Sequence, residues 1–152
     1  MIGKKKILAI TLARGGSKSV PNKNIKKILG KPLIAYTIEE VLKSKYIDDY
    51  IISTDSKEIA KVSVKYGAKV PFYRPKKIST DKSAPQDALY HGLIKYEKIT
   101  KLKFDYILEI MCTNPLKNVI DIDKCIEKLH KTKSDTVISV QRLFDHHPIR
   151  IK

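Results

Sequence analysis

Residues 7–24 read ILAITLARGGSKSVPNKN, an apolar run that leads without interruption into a pair of glycines. The apolar run, residues 7–12, is typical of a strand that is buried on both faces. Adjacent glycines let the backbone turn tightly and expose its N–H groups, and an arginine, a serine and two lysines lie within a few residues of that turn. Such a loop at the end of a strand can hold an anion, and its charge suits a polyphosphate. The stretch therefore predicts a nucleotide-handling loop, although a bare Gly-Gly pair is also compatible with an ordinary strand-to-helix turn.

Beyond this stretch, apolar runs alternate with amphipathic ones. Further strands are predicted at residues 50–54, 69–73, 104–111 and 136–140, and helices at residues 32–45, 57–66, 84–96 and 120–130, with Gly67 ending the second helix. This order predicts an α/β fold with a three-layer, Rossmann-like and mostly parallel sheet. Ligands of such sheets bind at the carboxyl ends of the strands. Residues 14–24, Asp55 and residues 112–117 fall at such ends, so we expect them to converge on one cleft.

The composition is that of a folded protein large enough for one domain. The chain has 152 residues, of which 42% are hydrophobic and 31% are charged. No apolar run approaches the ~20 residues that a membrane span needs, so we expect no membrane segment. The two cysteines have no disulfide-scaffold spacing, which favours a reducing, cytoplasmic setting.

The net charge of +15 raises the alternative of a basic nucleic-acid-binding protein. However, the lysines are scattered along predicted helix faces and turns, and the chain lacks a basic stripe interleaved with aromatic residues. We therefore expect no nucleic-acid partner.

The loop sequence as a whole is more specific than its glycine pair. Residues 13–18, Pro21 and the pair Lys23-Asn24 resemble the signature of the acylneuraminate cytidylyltransferases, the CMP-sialic acid synthetases and their relatives. Further blocks follow in that family's order: residues 30–38, 52–60, 66–72, 74–75, 80–81, 113–117 and 145–148. The resemblance runs through nearly all of the chain, and it implies a nucleotidyltransferase fold of the GT-A-like type in a single domain over residues 1–152.

The resemblance implies transfer of CMP from CTP to the anomeric hydroxyl of a nine-carbon sugar acid, with release of pyrophosphate. Arg14 and Lys18 would be catalytic, because they would hold the negative charge that develops on the phosphates. The nucleotide-binding residues would be Ala13, Arg14, Gly15, Gly16, Ser17, Lys18, Lys23, Asn24, Arg74 and Asp81. The sugar-binding residues, implied more weakly, would be Met111, Thr113, Asn114, Lys117, His146 and His147. The family likeness also implies Mg²⁺ as a cofactor and a homodimer.

Several of these residues have a plainer interpretation. Asp55 and Asp81 each precede a predicted helix and could be helix caps. Asp121 and Asp123 have the spacing of a metal pair, yet first-turn carboxylates also favour the helix dipole. Lys117 could contact an anion or could simply be solvated. His146 and His147 could contact substrate or, with less support from their adjacency, a metal.

The chain also departs from the family pattern. Ser19 replaces a glycine that is common after the loop lysine, and Ala84 and Pro85 stand where hydroxyl residues are common. Met111 replaces a glutamine that helps to hold sialic acid, which favours a related legionaminic- or pseudaminic-type sugar. The family's metal-binding aspartates and dimerisation segment would follow His146-His147-Pro148, so we expect the domain to be incomplete at its C-terminus. A non-catalytic nucleotide-binding remnant of the fold therefore remains an alternative.

Overall fold

The computed structural model describes residues 1–140. In this part of the chain the regular elements follow in the order β1 (Ile7–Leu12), β2 (Lys27–Ile28), β3 (Lys31–Pro32), α1 (Leu33–Leu42), β4 (Asp49–Ser53), α2 (Lys57–Lys65), α3 (Pro85–Thr100), β5 (Tyr106–Glu109) and α4 (Val119–Thr132). Short 3₁₀ turns lie at Lys23–Ile25 and Lys76–Ile78. None of the helices described is long and apolar enough to cross a membrane.

Strand β1 is the middle strand of a three-stranded parallel sheet with the order β4-β1-β5. It is flanked on both edges, and Leu8 and Ile10 are completely buried. This explains why its sequence is apolar at consecutive positions rather than at alternate ones. Because all three strands run the same way, their carboxyl ends meet at one edge, where the glycine-rich loop leaves β1.

Helices cover both faces of the sheet, which confirms the predicted three layers. On one face, α1, α2 and α4 pack against β1 and β4 through Ile38, Ile59 and Ile126. On the other face, α3 packs through Leu89, Leu93 and Tyr96 against a cluster that includes Ile10. The alternation of side chains along β1 therefore divides one apolar strand between two cores.

The strand predicted at residues 69–73 is not a continuous strand. The structure has two isolated parallel bridges there, Ile51 with Lys69 and Thr54 with Tyr73. Pro71 lies between them, and proline has no N–H with which to continue a ladder. The segment still follows β4, so the predicted position was correct although the regular strand was not.

The prediction of a strand at residues 136–140 is wrong, because these residues form no helix or strand in the described structure. Ile138 and Val140 are largely exposed, so β-branched composition did not suffice without a neighbouring strand to pair with. The predicted helices are present with shifted ends, and Gly67 follows α2 with a φ of +96°, as a C-terminal glycine should.

Candidate active site

A cleft of about 310 Å³ opens at the carboxyl ends of β1 and β5. It brings together half of the sixteen site residues that the sequence singled out. Eight of the predicted site residues line it: Arg14, Ser17, Lys23, Asn24, Arg74, Asp81, Met111 and Thr113. The remaining lining residues are Leu12, Thr80, Ser83, Pro85, Glu109 and Cys112. The convergence expected for a parallel sheet is therefore present.

The glycine-rich loop is fastened to the start of α2 by Asp55. The Gly15 N–H donates a hydrogen bond to Asp55 Oδ1 at 2.9 Å, and Ser56 rather than Asp55 caps α2. A side chain at position 15 would place its Cβ 3.0 Å from the Ser56 Cβ, whereas a Cβ at Gly16 would meet nothing within 4 Å. A side chain at position 15 would therefore be in tight contact with Ser56, and Asp55 acts as a brace of the loop.

Two of the loop's N–H groups are already used inside the loop region. Besides the Gly15 N–H, the Ser17 N–H donates to the Gly15 carbonyl at 3.0 Å. The Gly16 N–H has no partner within residues 1–140. In this conformation the loop therefore offers a ligand the Gly16 N–H and the Ser17 hydroxyl, rather than all three N–H groups that a simple cradle would provide.

Asn24 joins the loop to the end of β5. Its side chain is buried, its Nδ2 donates to the Arg14 carbonyl at 3.0 Å, and its Oδ1 accepts a hydrogen bond from Cys112 Sγ at 3.0 Å. Burial raises the pKa of the Cys112 thiol above its ordinary value, so the thiol remains a donor. Asn24 lines the cleft, but its amide is engaged in holding the two walls together.

Asp81 pairs with both of the cations that the sequence predicts to be catalytic. One carboxylate oxygen contacts Arg14 Nη1, and the other lies 2.6 Å from Lys18 Nζ. These hydrogen bonds, first that of Lys18 and then that of Arg14, hold the pKa of the Asp81 carboxyl below its ordinary value. Asp81 does not cap α3, whose N-cap is Ala84 with no side-chain hydrogen bond, so the capping interpretation is wrong.

Arg74 is the most deeply buried of the cleft's cations, with 5% of its surface exposed. Its Nε donates to Ser79 Oγ at 2.9 Å, and its backbone N–H donates to the Thr54 carbonyl at 2.7 Å. Burial lowers the pKa of its guanidinium, and the negative charge of Asp55 opposes that shift. The group is thus fixed in position near the end of β4, with its remaining donors available to the cleft.

The end of β5 supplies a carboxylate that the sequence reasoning missed. Glu109 lines the cleft, is exposed, and forms no ion pair within residues 1–140. A carboxylate beside Arg14, Lys23 and Arg74 that pairs with none of them differs clearly from Asp81. Glu109 was not singled out because it belongs to an apolar strand and to no recognised motif, and only the fold shows which strand end it occupies.

Met111 and Thr113 also lie in the cleft, on the turn that follows β5. Met111 is 66% exposed, an unusual position for a large apolar side chain, and its thioether offers no strong hydrogen bond. This wall of the cleft is consequently more apolar than the wall formed by the glycine-rich loop.

Lys117 fixes that turn from behind. Its Nζ donates to Thr37 Oγ1 and to the Met111 carbonyl, each at 2.8 Å, and also contacts the Asn114 carbonyl. Burial lowers the pKa of this ammonium group. Lys117 is therefore neither solvated nor directed at the cleft in this structure, and neither it nor Asn114 lines the cleft.

Replacing Lys117 with methionine, which has a similar length, is expected to lower the free energy of unfolding by about 1–3 kcal/mol, because oxygens that the ammonium satisfies lose their donor. Urea denaturation followed by circular dichroism measures the change. Lys124→Met on the exposed side of α4 is the matched control. Equal unfolding midpoints for the two variants would contradict the bracing role.

The other predicted site residues are placed outside the cleft lining. Ala13 is buried, with its N–H bonded to the Ser53 carbonyl at 3.0 Å. Gly15 and Gly16 lie in the loop behind the lining, and Lys18 reaches the cleft only through its contact with Asp81. His146 and His147 lie outside the described residues.

The described side chains do not form a ready metal site. Within residues 1–140 no three histidine, cysteine, aspartate or glutamate side chains lie together as possible ligands. Mg²⁺ takes oxygen ligands, but the Asp81 oxygens already contact two cations. Asp121 lies in the first turn of α4, which agrees with the helix-start interpretation, whereas Asp123 lies beyond the first turn and accepts a hydrogen bond from Ser44 Oγ at 2.5 Å. The residues described therefore do not fit a Mg²⁺ site by themselves.

The fold and the cleft together define a class. A parallel α/β sheet with a glycine-rich basic loop after its central strand is the architecture of a nucleotide-binding α/β protein. The sequence model of one family, described as cytidylyltransferase, matches residues 8–150, and the chain belongs to that family.

Relatives of known name agree with this assignment. The chain is 39% identical over 135 residues to the CMP-N,N'-diacetyllegionaminic acid synthase of Legionella pneumophila, covering 89% of this chain and 57% of the relative. It is 40% identical over 129 residues to a pseudaminic acid cytidylyltransferase of Campylobacter jejuni, covering 85% of this chain and 55% of that protein. The chain thus spans somewhat more than half the length of these relatives.

A solved structure supports the fold independently. The synthetase of CMP-2-keto-3-deoxy-manno-octonic acid, determined in complex with CTP, superimposes with a TM-score of 0.69 at 20% identity. The superposition covers 85% of this chain and 49% of that protein. The predicted nucleotidyltransferase fold is confirmed.

Proposed function

We propose that this chain carries the CTP-binding part of an enzyme that transfers CMP to the anomeric hydroxyl of a nonulosonic acid. In this reaction the hydroxyl oxygen forms a bond to the α-phosphorus and loses its proton to solvent, the bond from that phosphorus to the bridging oxygen breaks, and pyrophosphate leaves. The single observation that carries the proposal is the meeting of Arg14, Lys18 and the glycine-rich loop at one end of the sheet, next to a cleft.

The nucleotide is proposed to lie along the wall formed by the loop. Arg14 and Lys18 would hold phosphate oxygens, and Lys23 would add a third positive charge from the 3₁₀ turn that follows. The Gly16 N–H and the Ser17 hydroxyl would donate hydrogen bonds, since neither has a hydrogen-bond partner among residues 1–140. Arg74, buried and fixed by Ser79, is proposed to lie near the base. Preorganised donors of this kind stabilise charge that develops in a transition state.

The sugar acid is proposed to lie against the turn after β5, beside Met111 and Thr113. An exposed thioether favours a sugar whose nearby substituent is apolar, such as a deoxy position, over one whose hydroxyls need a hydrogen-bonding partner. This supports a legionaminic- or pseudaminic-type acid rather than N-acetylneuraminic acid. His146 and His147 remain proposed substrate contacts.

Three further expectations concern the cofactor, the oligomeric state and the location. We propose that Mg²⁺ accompanies the triphosphate and that the active protein is a homodimer located in the cytoplasm. When bound, such a metal neutralises phosphate charge.

The test is binding and turnover on the same protein. Isothermal titration calorimetry should show that the chain binds CTP more tightly than UTP or ATP. Release of pyrophosphate should then be followed with CTP, Mg²⁺ and each of three acids: N,N'-diacetyllegionaminic, pseudaminic and N-acetylneuraminic acid. The proposal requires a preference for CTP, and it is abandoned if the three nucleotides bind equally. Turnover that is fastest with N-acetylneuraminic acid would contradict the proposed role of Met111, and CTP binding with no turnover would favour the non-catalytic remnant.

A further inference from the structure

Asp81 holds a position in the cleft that a helix cap or a core brace does not explain. Its carboxylate makes two contacts, one to Arg14 and one to Lys18, and each oxygen serves one cation. Neither contact is to the backbone, and about a third of the side chain is exposed to solvent. Asp55, a second carboxylate near this loop, instead accepts a hydrogen bond from the Gly15 N–H.

The two carboxylates therefore have different consequences for a ligand. Asp55 accepts a hydrogen bond from a backbone N–H, so this bond can persist when a ligand binds to Arg14 and Lys18. Asp81 presents two oxygens to two cations, as a phosphate group would, so it occupies the same donors that a polyphosphate needs. An anionic ligand and Asp81 therefore compete for the N–H donors of Arg14 and Lys18.

The segment that carries Asp81 is fixed at both ends but open in the middle. Before it, Ser79 is bonded to Arg74 at 2.9 Å, and after it α3 begins at Pro85. Between these points, Thr80 and Ser83 bond to one another through their hydroxyls at 2.8 Å. The side chain of Asp81 thus projects from a short turn whose internal bonds do not depend on its own ion pairs.

We propose that Asp81 is an internal competitor for polyphosphate: its carboxylate exchanges with phosphate oxygens on Arg14 and Lys18 when a nucleotide binds and returns when pyrophosphate leaves. The inference rests on the proposed function of the loop as a polyphosphate site. Competition of this kind lowers the apparent affinity for every ligand that must displace the carboxylate. It would also favour release of the leaving pyrophosphate, because the two cations regain a partner.

The test compares affinities for inorganic tripolyphosphate, measured by isothermal titration calorimetry at low salt. Asp81→Asn keeps the size of the side chain and removes the competing charge, and Asp81→Ala removes the side chain altogether. Both variants are expected to bind tripolyphosphate about three- to tenfold more tightly than the unchanged chain, in keeping with one or two partly exposed ion pairs.

The matched control is Asp135→Asn. Asp135 is exposed and follows α4 at the other end of the sheet, near Ile7, so the variant gains the same net charge away from the loop. It is expected to leave the tripolyphosphate affinity unchanged. A gain equal to that of the Asp81 variants would show a general effect of charge and would overturn the inference.

Affinity that is equal or weaker in both Asp81 variants overturns the inference, as does a failure of all the proteins to bind tripolyphosphate. The nucleotides separate this outcome from the proposed function. If the Asp81 variants bind tripolyphosphate more tightly but none of the proteins prefers CTP to UTP, the competitor role stands and the cytidylyltransferase proposal fails. If the proteins prefer CTP but Asp81→Asn does not bind tripolyphosphate more tightly, the cytidylyltransferase proposal stands and the competitor role of Asp81 fails.

Discussion

Replacing Arg14 with alanine is expected to weaken CTP binding by about 10- to 100-fold, the usual value of one charge-assisted hydrogen bond. Arg14 lines the cleft, and Asn24 donates a hydrogen bond to its carbonyl. The backbone that carries the guanidinium is therefore held in place before the ligand binds. Lys18→Ala is expected to have a smaller effect, because the Lys18 side chain is 84% exposed and has more freedom to lose. Titration calorimetry with CTP measures both variants.

Two further variants isolate the role of the guanidinium. Arg14→Lys keeps the charge but loses the planar pair of donors, so its affinity should fall between those of the unchanged chain and Arg14→Ala. Lys128→Ala removes a positive charge from the exposed surface of α4 and should change the affinity little. An Arg14→Ala protein that binds CTP within twofold of the unchanged chain would remove Arg14 from the proposed site.

Replacing Ile10 with alanine is expected to lower the free energy of unfolding by about 2–5 kcal/mol, because it leaves a cavity in the core. Ile10 lies on the central strand, is 0% exposed and packs under α3. Urea denaturation measures the loss. The control is Ile94→Ala on α3, the helix that packs over Ile10. Ile94 is 44% exposed, so its truncation should lower the free energy of unfolding by about 0.5 kcal/mol or less.

The same pair of elements gives a sharper test of the packing. In the unchanged chain a Cβ at Gly92 would lie 3.3 Å from Ile10 Cδ1, a tight contact that opposes the gain in helix propensity. In the Ile10→Ala protein that atom is gone, so Gly92→Ala should restore about 1 kcal/mol. If Gly92→Ala has the same effect in both backgrounds, the two residues are not in the contact described.

The layered fold followed from periodicity, because buried parallel strands and amphipathic helices have distinct patterns. Periodicity did not predict every regular strand correctly. Residues 69–73 have the composition of a strand, but Pro71 interrupts its ladder. Four of residues 136–140 are β-branched, yet strand formation also needs a neighbouring strand, which a local pattern does not reveal.

The candidate site shows the same division between local and long-range information. The loop cations were predicted from adjacent residues, and eight of the predicted side chains do line one cleft. The partners of those side chains could not be predicted, since Asp81 reaches Arg14 and Lys117 reaches Thr37 only after the chain has folded. Asn24 and Lys117, both expected to meet ligands, are among the predicted site residues that bind to other parts of the protein.

The bond between Asn24 and Cys112 has a consequence for the chemistry of sulfur in this chain. The thiolate is the nucleophile that attacks an alkylating reagent. Burial raises the pKa of Cys112 and keeps it in its thiol form, whereas Cys125 on α4 is partly exposed. Iodoacetamide should therefore modify Cys125 first. It should reach Cys112 only when the hydrogen bond between Asn24 and Cys112 has opened. The rate of Cys112 modification therefore measures how often the loop that carries Asn24 opens locally.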